Sequence, residues 1–194
     1  MNKKCIAFTR EEYEKIIDAI RRGFTLDGVK VRPNPRIATI CVVQSCLGLR
    51  LGDILKLRMN NFVYDVDKWR LDMNEQKTGK HRDFTVPDKV YNFIQNWAYT
   101  NNIGKDAKLF DISERQVELH LNKALKYTGI GVGRHGSHSF RKMYAKLAFE
   151  ESNHNIELVR TLLQHSSVSV TQLYLGVSSD QVEKAIEKTA MNLV

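Results

Sequence analysis

Residues 36–47 constrain the fold more than any other stretch of this sequence, because they are apolar on nearly every side of a helix. A surface helix keeps a polar face, whereas a helix without one is buried. Pro33 and Pro35 precede the stretch, and Gly48 follows it as a helix-ending residue. The pattern therefore predicts a central buried helix around which the other elements pack.

A second pattern, typical of strands, follows the central helix. Residues 69–74 and residues 83–86 alternate apolar with polar side chains. A period of two indicates half-buried strands. The Thr78-Gly79 dipeptide between them predicts the turn of a hairpin, and residues 62–64 add a short third strand.

Helical spacing accounts for most of the remaining chain. Thr9 with Glu12 and Ser113 with Gln116 have the spacing of capping boxes, which mark two helix starts. The predicted helices cover approximately residues 9–22, 51–57, 88–100, 113–127, 137–151, 155–164 and 168–175, with a final one after residue 178. Residues 23–35 are expected to form a polar connection. The predicted fold class is mainly α with a small three-stranded antiparallel β-sheet (α+β).

The length of 194 residues favours a single domain, residues 1–194, with a hydrophobic core. We expect residues 9–177 to form the core of this domain. Residues 178–194 are expected to form a C-terminal helix, which either folds back on this core or docks on a neighbouring protomer.

Charge and cysteine content limit the class of protein. The chain has 30 basic and 22 acidic residues, a net charge of +8, which favours a polyanionic partner. Cys5, Cys41 and Cys46 are too few for a disulfide framework, so buried free thiols are expected. The sequence has neither an apolar run of membrane-spanning length nor a signal-peptide core. We therefore expect a cytoplasmic protein without a membrane partner.

His138 and Arg141 are the first candidate site residues. Three positions apart in the first turn of a predicted helix, they share one face. A helix start attracts anions, arginine matches phosphate oxygens, and histidine exchanges protons near neutral pH. An isolated pair of this kind is more often a solvated basic turn.

A second group of cations precedes and follows the predicted sheet turn. Arg50 lies just before a short predicted helix, and Asp53 could hold Arg50 or a histidine in place. Lys77 lies at the tip of the hairpin, and Lys80 and Arg82 add charge beside it that would suit contacts to a polyanion such as DNA. Taken alone, Arg50 and Asp53 are more often a surface ion pair, and a single lysine at position 77 does not exclude an ordinary charged turn.

Tyr174 is the candidate nucleophile, with His165 a short loop before it. A tyrosine hydroxyl has a pKa near 10, so attack at neutral pH needs positive surroundings or a base. A lone tyrosine more often packs a helix against the core.

The set of motifs resembles the catalytic domain of the tyrosine recombinases, the phage integrase family. GLRLGD at residues 48–53 is similar to the first-arginine motif with its acidic partner. KTGK at residues 77–80 resembles the hairpin-lysine motif, and HSFR at residues 138–141 resembles the His-x-x-Arg motif. LLQHSSVSVTQLYL at residues 162–175 is similar to the segment from the second histidine to the tyrosine. The resemblance implies the catalytic-domain fold of that family.

The resemblance also implies a reaction. Tyr174 would attack a DNA phosphate, form a 3′-phosphotyrosyl link and release a 5′-hydroxyl. Arg50 and Arg141 would bind the non-bridging oxygens, and Lys77 would protonate the leaving oxygen. Such a transesterification conserves bond energy and replaces a metal with cationic side chains, so the resemblance implies no cofactor.

The remaining implied roles concern the histidines and the partners. His138 would assist proton transfer with Tyr174, and His165 would hydrogen-bond the phosphate. The implied partner is double-stranded DNA, with a homotetramer on two duplexes and no small-molecule substrate. The alternatives are DNA relaxation like that of a type IB topoisomerase, and a DNA-binding module without catalysis.

Two residues depart from the family pattern, and one element is not found. Lys142 stands where many relatives carry a second histidine, and Gln164 replaces a frequent glycine. Nothing resembles the separate N-terminal DNA-clamping domain of most relatives, so a single catalytic domain is expected.

Residues 131–136 match the glycine spacing of dinucleotide-binding loops. That motif requires a preceding strand, whereas residues 121–127 have helical spacing. We interpret the glycines as a loop that lets the backbone approach DNA, with Arg134 as a DNA contact. His135 and His138 have no cysteine or carboxylate at metal-ligand spacing, so no metal is expected.

Overall fold

The computed structural model describes residues 5–175. The chain forms two compact units that divide between Tyr144 and Ala145. The predicted helix at residues 178–194 lies outside the described residues. Between residues 5 and 175, no helix has both the length and the apolar character needed to cross a bilayer.

The first unit begins with two helices that follow the sequence predictions. Helix α1 spans Arg10–Arg22, and helix α2 spans Pro35–Leu47. The capping box of α1 is confirmed, since Thr9 Oγ1 accepts from the backbone N–H of Glu12 at 3.1 Å and the Glu12 carboxylate accepts from the Thr9 N–H at 2.8 Å. The predicted burial of α2 is also confirmed; its buried residues are Ile37, Ala38, Thr39, Ile40, Cys41, Val43, Gln44 and Leu47.

The sequence predicted only a polar connection between these helices. In the structure this connection contains a β-hairpin. Strand β1, Phe24–Leu26, pairs with strand β2, Val29–Val31. Asp27 and Gly28 form the two-residue turn, with φ of 51° and 76°. Positive φ at both turn residues matches the twist of adjacent strands, and Asp-Gly is a preferred sequence for it. The three-residue strands were too short to give a detectable alternation.

The predicted three-stranded antiparallel sheet is confirmed, with strand order β3-β4-β5. Its strands are Phe62–Asp65, Lys68–Asn74 and His81–Val86. Leu71, at the centre of β4, faces Phe62 on one side and Phe84 on the other. On the same strand, the Trp69 ring stacks on Tyr91 with centroids 3.5 Å apart. The sheet therefore packs against the helix that carries Tyr91.

Four further helices begin in the first unit. Helices α3 to α6 span Leu51–Ile54, Asp88–Thr100, Glu114–Thr128 and Ser137–Glu151. The predicted capping box of α5 is confirmed, because Ser113 Oγ accepts from the Gln116 N–H at 3.2 Å. Helix α3 ends three residues before its predicted end at Leu57. The chain there tightens into hydrogen bonds between residues three apart, such as Leu57 N–H to Ile54 O.

The second unit contains the end of α6 and two short helices, α7 at Ile156–Leu163 and α8 at Val168–Leu175. Asn155 caps α7 by accepting from the Leu158 N–H at 3.0 Å. Gln164 ends α7 in the left-handed conformation, with φ of 53°. Glycine adopts this conformation without the strain that a Cβ introduces. Position 164, where this chain has glutamine in place of the frequent glycine, therefore has a backbone conformation that favours glycine.

The prediction of free thiols is confirmed, but the prediction that they are buried holds only for Cys41. Cys5, Cys41 and Cys46 are free thiols, and Cys41 is buried. Cys46, five positions later on α2, is exposed instead of buried. The 100° turn per residue carries it to the outer side of the helix's last turn.

Candidate active site

An open cleft of about 420 Å³ in the first unit brings together four of the predicted site residues of that unit. Arg50, Asp53, Lys77 and His138 all line it. They come from α3, from the turn between β4 and β5, and from the first turn of α6. Residues separated by almost ninety positions therefore meet at one surface.

Arg50 is placed by the residues on either side of it. It precedes α3 with extended backbone, φ −70° and ψ 153°, and its side chain is 25% exposed. Two residues earlier, Gly48 has φ of 61°, and a Cβ there would overlap the ring of Tyr144. Glycine at position 48 therefore lets the chain turn sharply from α2 toward Arg50.

Arg141 lies beneath the same segment. Its side chain is buried, and Nη1 donates to the carbonyl oxygen of Gly48 at 2.5 Å. A guanidinium presents five N–H donors in a planar fork, so this bond anchors the group and restricts where its other donors can point. The two arginines of the site are thus connected through the backbone at Gly48.

The partner of Arg50 is Glu75, which the sequence did not predict. Arg50 Nη1 lies 2.5 Å from Glu75 Oε2, and the Glu75 side chain is fully buried. Asp53, the predicted partner, instead accepts from the backbone N–H of Gln76 at 2.8 Å through Oδ1. The signal that could have identified Glu75 is the alternation itself, because Leu71, Met73 and Glu75 continue one buried face.

The structure corrects the prediction that Arg82 contacts DNA, because its side chain is buried. The residue is 2% exposed, and Nη1 lies 3.5 Å from Glu75 Oε1. It faces Met73 across the β4–β5 pairing, on the buried side of the sheet. Arg82 therefore belongs to the interior, while Lys80 is exposed as expected.

Burial and neighbouring charges shift the pKa values of both Arg82 and Glu75. Burial, and then the charge of Arg141, lower the pKa of Arg82 to about 10, while Glu75 opposes them. Burial alone would raise the pKa of Glu75. Hydrogen bonds from Thr78 and Arg50, and the charges of both arginines, outweigh it, so the pKa falls below its ordinary value. Glu75 is therefore an anion between two cations.

The turn that carries Lys77 is tightly hydrogen-bonded. Glu75 donates its N–H to the Lys80 carbonyl, and the Gly79 N–H donates to the Glu75 carbonyl, both at 2.9 Å. Thr78 Oγ1 donates to Glu75 Oε2 at 2.7 Å. Lys77 itself is exposed and lines the cleft. The predicted hairpin position of this lysine is confirmed.

His138 lies in the first turn of α6, as predicted, and reaches the cleft. Partial burial lowers its pKa, and the charges of Arg141, Arg50 and Lys77 act in the same direction. Glu118, which accepts from Ser137 Oγ at 2.5 Å, opposes the shift. Neutral imidazole is therefore the dominant form at neutral pH, and it can accept a proton.

The glycine-rich loop at residues 131–136 follows a helix, α5, and not a strand. This order confirms the rejection of a dinucleotide-binding motif. Arg134 is exposed in the loop, and its carbonyl oxygen accepts from the Ile6 N–H at 2.9 Å. Its role as a DNA contact stays a prediction.

The second unit holds His165 and Tyr174 side by side. Their rings meet edge to face, with centroids 5.0 Å apart and planes at 71°. His165 Nδ1 lies 3.1 Å from Thr171 Oγ1, and Arg160 donates to the His165 carbonyl at 3.2 Å. The loop and the first turns of α8 thus bring the predicted histidine to the predicted nucleophile.

A sequence model of the phage integrase family matches residues 7–181. The chain belongs to the phage integrase family. Among similar family members, tyrosine recombinase XerC of Caldanaerobacter subterraneus subsp. tengcongensis is 31% identical over 196 residues, covering 96% of this chain. Tyrosine recombinase XerA of Pyrococcus furiosus is 25% identical over 188 residues, covering 94% of this chain. The chain spans 52% and 61% of the lengths of these two relatives.

Solved structures of phage integrase family proteins share this fold. The catalytic domain of bacteriophage HP1 integrase superposes with a TM-score of 0.63 at 15% identity, covering 95% of both chains. XerH recombinase, in a pre-cleavage complex with its difH substrate, gives a TM-score of 0.68 at 18% identity, covering 94% of this chain and 53% of that chain. The predicted tyrosine recombinase catalytic-domain fold is therefore confirmed.

Proposed function

We propose that this chain is the catalytic part of a site-specific DNA recombinase, or integrase, that cuts and rejoins strands through a 3′-phosphotyrosyl intermediate. The observation that supports this most is the cleft of the first unit. It gathers Arg50, Lys77 and His138 around a space open to solvent, with Arg141 tied to the same backbone segment. Family membership supplies the reaction that such a set of side chains suits.

Tyr174 Oη attacks the scissile phosphorus, and the bond from phosphorus to the 5′-oxygen breaks. Arg50 and Arg141 stabilise the charge that develops on the non-bridging oxygens. Neutral His138 takes the tyrosine proton, and Lys77 gives a proton to the departing 5′-oxygen. His165 hydrogen-bonds the phosphate beside the nucleophile.

The reverse step restores the DNA backbone. A 5′-hydroxyl from another strand attacks the phosphotyrosyl bond and releases Tyr174. One phosphodiester is exchanged for another of similar energy, so the reaction proceeds without ATP. The guanidinium groups supply the charge stabilisation that a metal ion gives in other phosphoryl-transfer enzymes, so we propose a metal-independent reaction.

The partner is double-stranded DNA, bound by the basic surface that includes Lys80 and Arg134. The lambda integrase tetramer on a Holliday junction, a fold neighbour, supports a homotetramer on two duplexes. Relatives named as tyrosine recombinases favour recombination over DNA relaxation. With a bacterial or archaeal genome as substrate, the protein would act in the cytoplasm.

Covalent trapping tests the chemistry. The protein is incubated with a pool of nicked duplexes in EDTA without ATP, and an SDS-resistant adduct is mapped by mass spectrometry. We expect the adduct on Tyr174, lost in Tyr174→Phe with DNA binding retained. Tyr99→Phe, a matched change at an exposed tyrosine, should leave the adduct unchanged. DNA binding by the wild type without any adduct would contradict the proposal.

A second assay separates recombination from relaxation. A supercoiled plasmid carries two copies of the sequence preferred in the trapping assay. Recombinant circles or inversions are expected. Relaxed plasmid without rejoined products would instead indicate a topoisomerase.

A further inference from the structure

The Glu75 carboxylate accepts several hydrogen bonds but has no role in the proposed reaction. Its side chain is fully buried, and donors from three separate segments converge on its two oxygens. Oε2 accepts from Arg50 at 2.5 Å and from Thr78 Oγ1 at 2.7 Å, while Oε1 lies 3.5 Å from Arg82 Nη1. A buried carboxylate is costly unless its oxygens are satisfied, and here donors reach both oxygens.

We propose that Glu75 is a positioning residue that sets the orientation of Arg50 and the placement of Lys77 through one carboxylate. The inference rests on the proposed function of the cleft. Arg50 is the cleft arginine, and Lys77 lies between the two residues of the Glu75–Thr78 hydrogen bond. A single anion therefore links the phosphate-binding cation to the loop of the general acid.

The first half of this role follows from the geometry of the guanidinium. The planar fork of Arg50 binds Glu75 through Nη1, and the 25% of the side chain that is exposed borders the cleft. This short charge-assisted bond anchors one corner of the guanidinium and so restricts the directions in which the remaining N–H groups can point. Glu75 thus directs the edge of Arg50 that meets the phosphate.

The second half follows from the hairpin turn. Backbone bonds join Glu75 to Lys80 and Gly79, and the Thr78 hydroxyl closes the turn onto the carboxylate. Asp53, which lies three residues after Arg50, accepts a hydrogen bond from the backbone N–H of Gln76 at 2.8 Å. The turn with Lys77 and the segment with Arg50 are therefore joined by two carboxylates, and Glu75 is the one that also contacts the arginine.

A structural ion pair would give the same static picture, so the test uses a readout that stability alone does not move. Single-turnover cleavage is measured on two nicked duplexes that differ in the leaving atom. One has the ordinary 5′-oxygen, which needs a proton on departure. The other has a bridging 5′-sulfur, whose thiolate leaves without one. The sulfur duplex therefore bypasses Lys77 but still requires the arginines.

Thr78→Val removes the hydroxyl bond to Glu75 without changing charge or size. We expect cleavage of the oxygen duplex to slow by roughly tenfold, and cleavage of the sulfur duplex to stay within about twofold of wild type. Glu75→Gln affects both partners. It should slow the oxygen duplex by roughly a hundredfold and the sulfur duplex by roughly tenfold.

Asp83→Asn is the matched control, because it removes a carboxylate from an exposed ion pair, Asp83 with Arg70, on the same sheet. It should leave both rates unchanged. Thermal unfolding of each variant verifies folding, and if Glu75→Gln is unfolded, Thr78→Val decides the question.

Equal rates of Thr78→Val and wild type on the oxygen duplex would overturn the proposal. So would a folded Glu75→Gln protein that cleaves both duplexes at the wild-type rate, or one that loses the same factor on both. Failure of the wild type to form any adduct is a different result, because it would overturn the proposed function itself.

Discussion

Arg141 donates a hydrogen bond to the carbonyl oxygen of Gly48, 93 positions earlier in the chain, at 2.5 Å. The bond holds the start of α6 against the end of α2. It needs a backbone at position 48 that turns with φ of 61° under the ring of Tyr144. A small residue at one position therefore determines where a site arginine lies.

Gly48→Ala should lower the free energy of unfolding by about 2–4 kcal/mol, because it adds both left-handed strain and an overlap with Tyr144. Gly79→Ala is the control, since Gly79 has φ of 66° with nothing within 4 Å of its Cβ position. That change should cost only about 1 kcal/mol. Urea unfolding followed by circular dichroism measures both, and equal losses would contradict the steric explanation.

Arg82→Met should destabilise the first unit by about 2–4 kcal/mol, because it leaves Glu75 buried with one guanidinium fewer. Arg70→Met, which breaks the exposed pair with Asp83, should cost less than about 1 kcal/mol. Urea titrations of the two variants test the difference. A stable Arg82→Met protein with weakened DNA binding would instead return Arg82 to the DNA-contacting surface.

The cleavage rate should be retained at pH 6.5 and should fall only when the pH is lowered further. His138 has a pKa below the ordinary 6.5, because partial burial disfavours the imidazolium. The neutral base is therefore retained at pH 6.5 and lost only as the pH falls through the lowered value. Single-turnover rates from pH 5 to 8 test this, and a midpoint above 6.5 would contradict it.

Glu118 moves that midpoint in a predictable direction. Its charge raises the pKa of His138, so Glu118→Gln should shift the acid limb of the rate profile to still lower pH. Glu114→Gln, one turn before Glu118 on α5 and also lining the cleft, is the matched control. An NMR titration of His138 reads the same shift without catalysis, and equal effects of the two variants would refute it.

Gln164→Gly and Gln164→Ala both remove the side chain that ends α7, but only glycine relieves the left-handed backbone. The glycine variant should be more stable than the alanine variant by about 1 kcal/mol. Hydrogen exchange of the α7 amides measures this locally. Equal protection in the two variants would show that the backbone at position 164 is not strained.

Local signals predicted most of the fold. The capping boxes at Thr9 and Ser113, the all-apolar run of α2 and the period-two alternation of β4 each depend on residues a few positions apart. They predicted helix starts, the buried helix and the sheet. The β1–β2 hairpin was missed because its strands are three residues long, although Asp27-Gly28 carries the turn signal.

The site was predicted as a set of motifs, but not its internal contacts. Arg82 occupies an inward position of β5, and Glu75, directly after β4, continues the buried face of that strand. Arg82 was predicted to be exposed because it is charged, whereas its burial depends on an anionic partner, Glu75, seven positions away. The sequence contains no local signal for the pairing of residues 50 and 75, so the nearby Asp53 was offered as a partner of Arg50 or of a histidine, whereas Arg50 pairs with Glu75.

The stack of Trp69 on Tyr91 has a practical consequence. The chain has two tryptophans, Trp69 and Trp97, and both belong to the first unit. Indole fluorescence therefore comes from the first unit, and the part from Trp69 follows the contact between β4 and α4. The unit with His165 and Tyr174 has no tryptophan, so emission and far-ultraviolet signals that diverge during unfolding would show that the two units unfold separately, without any added label.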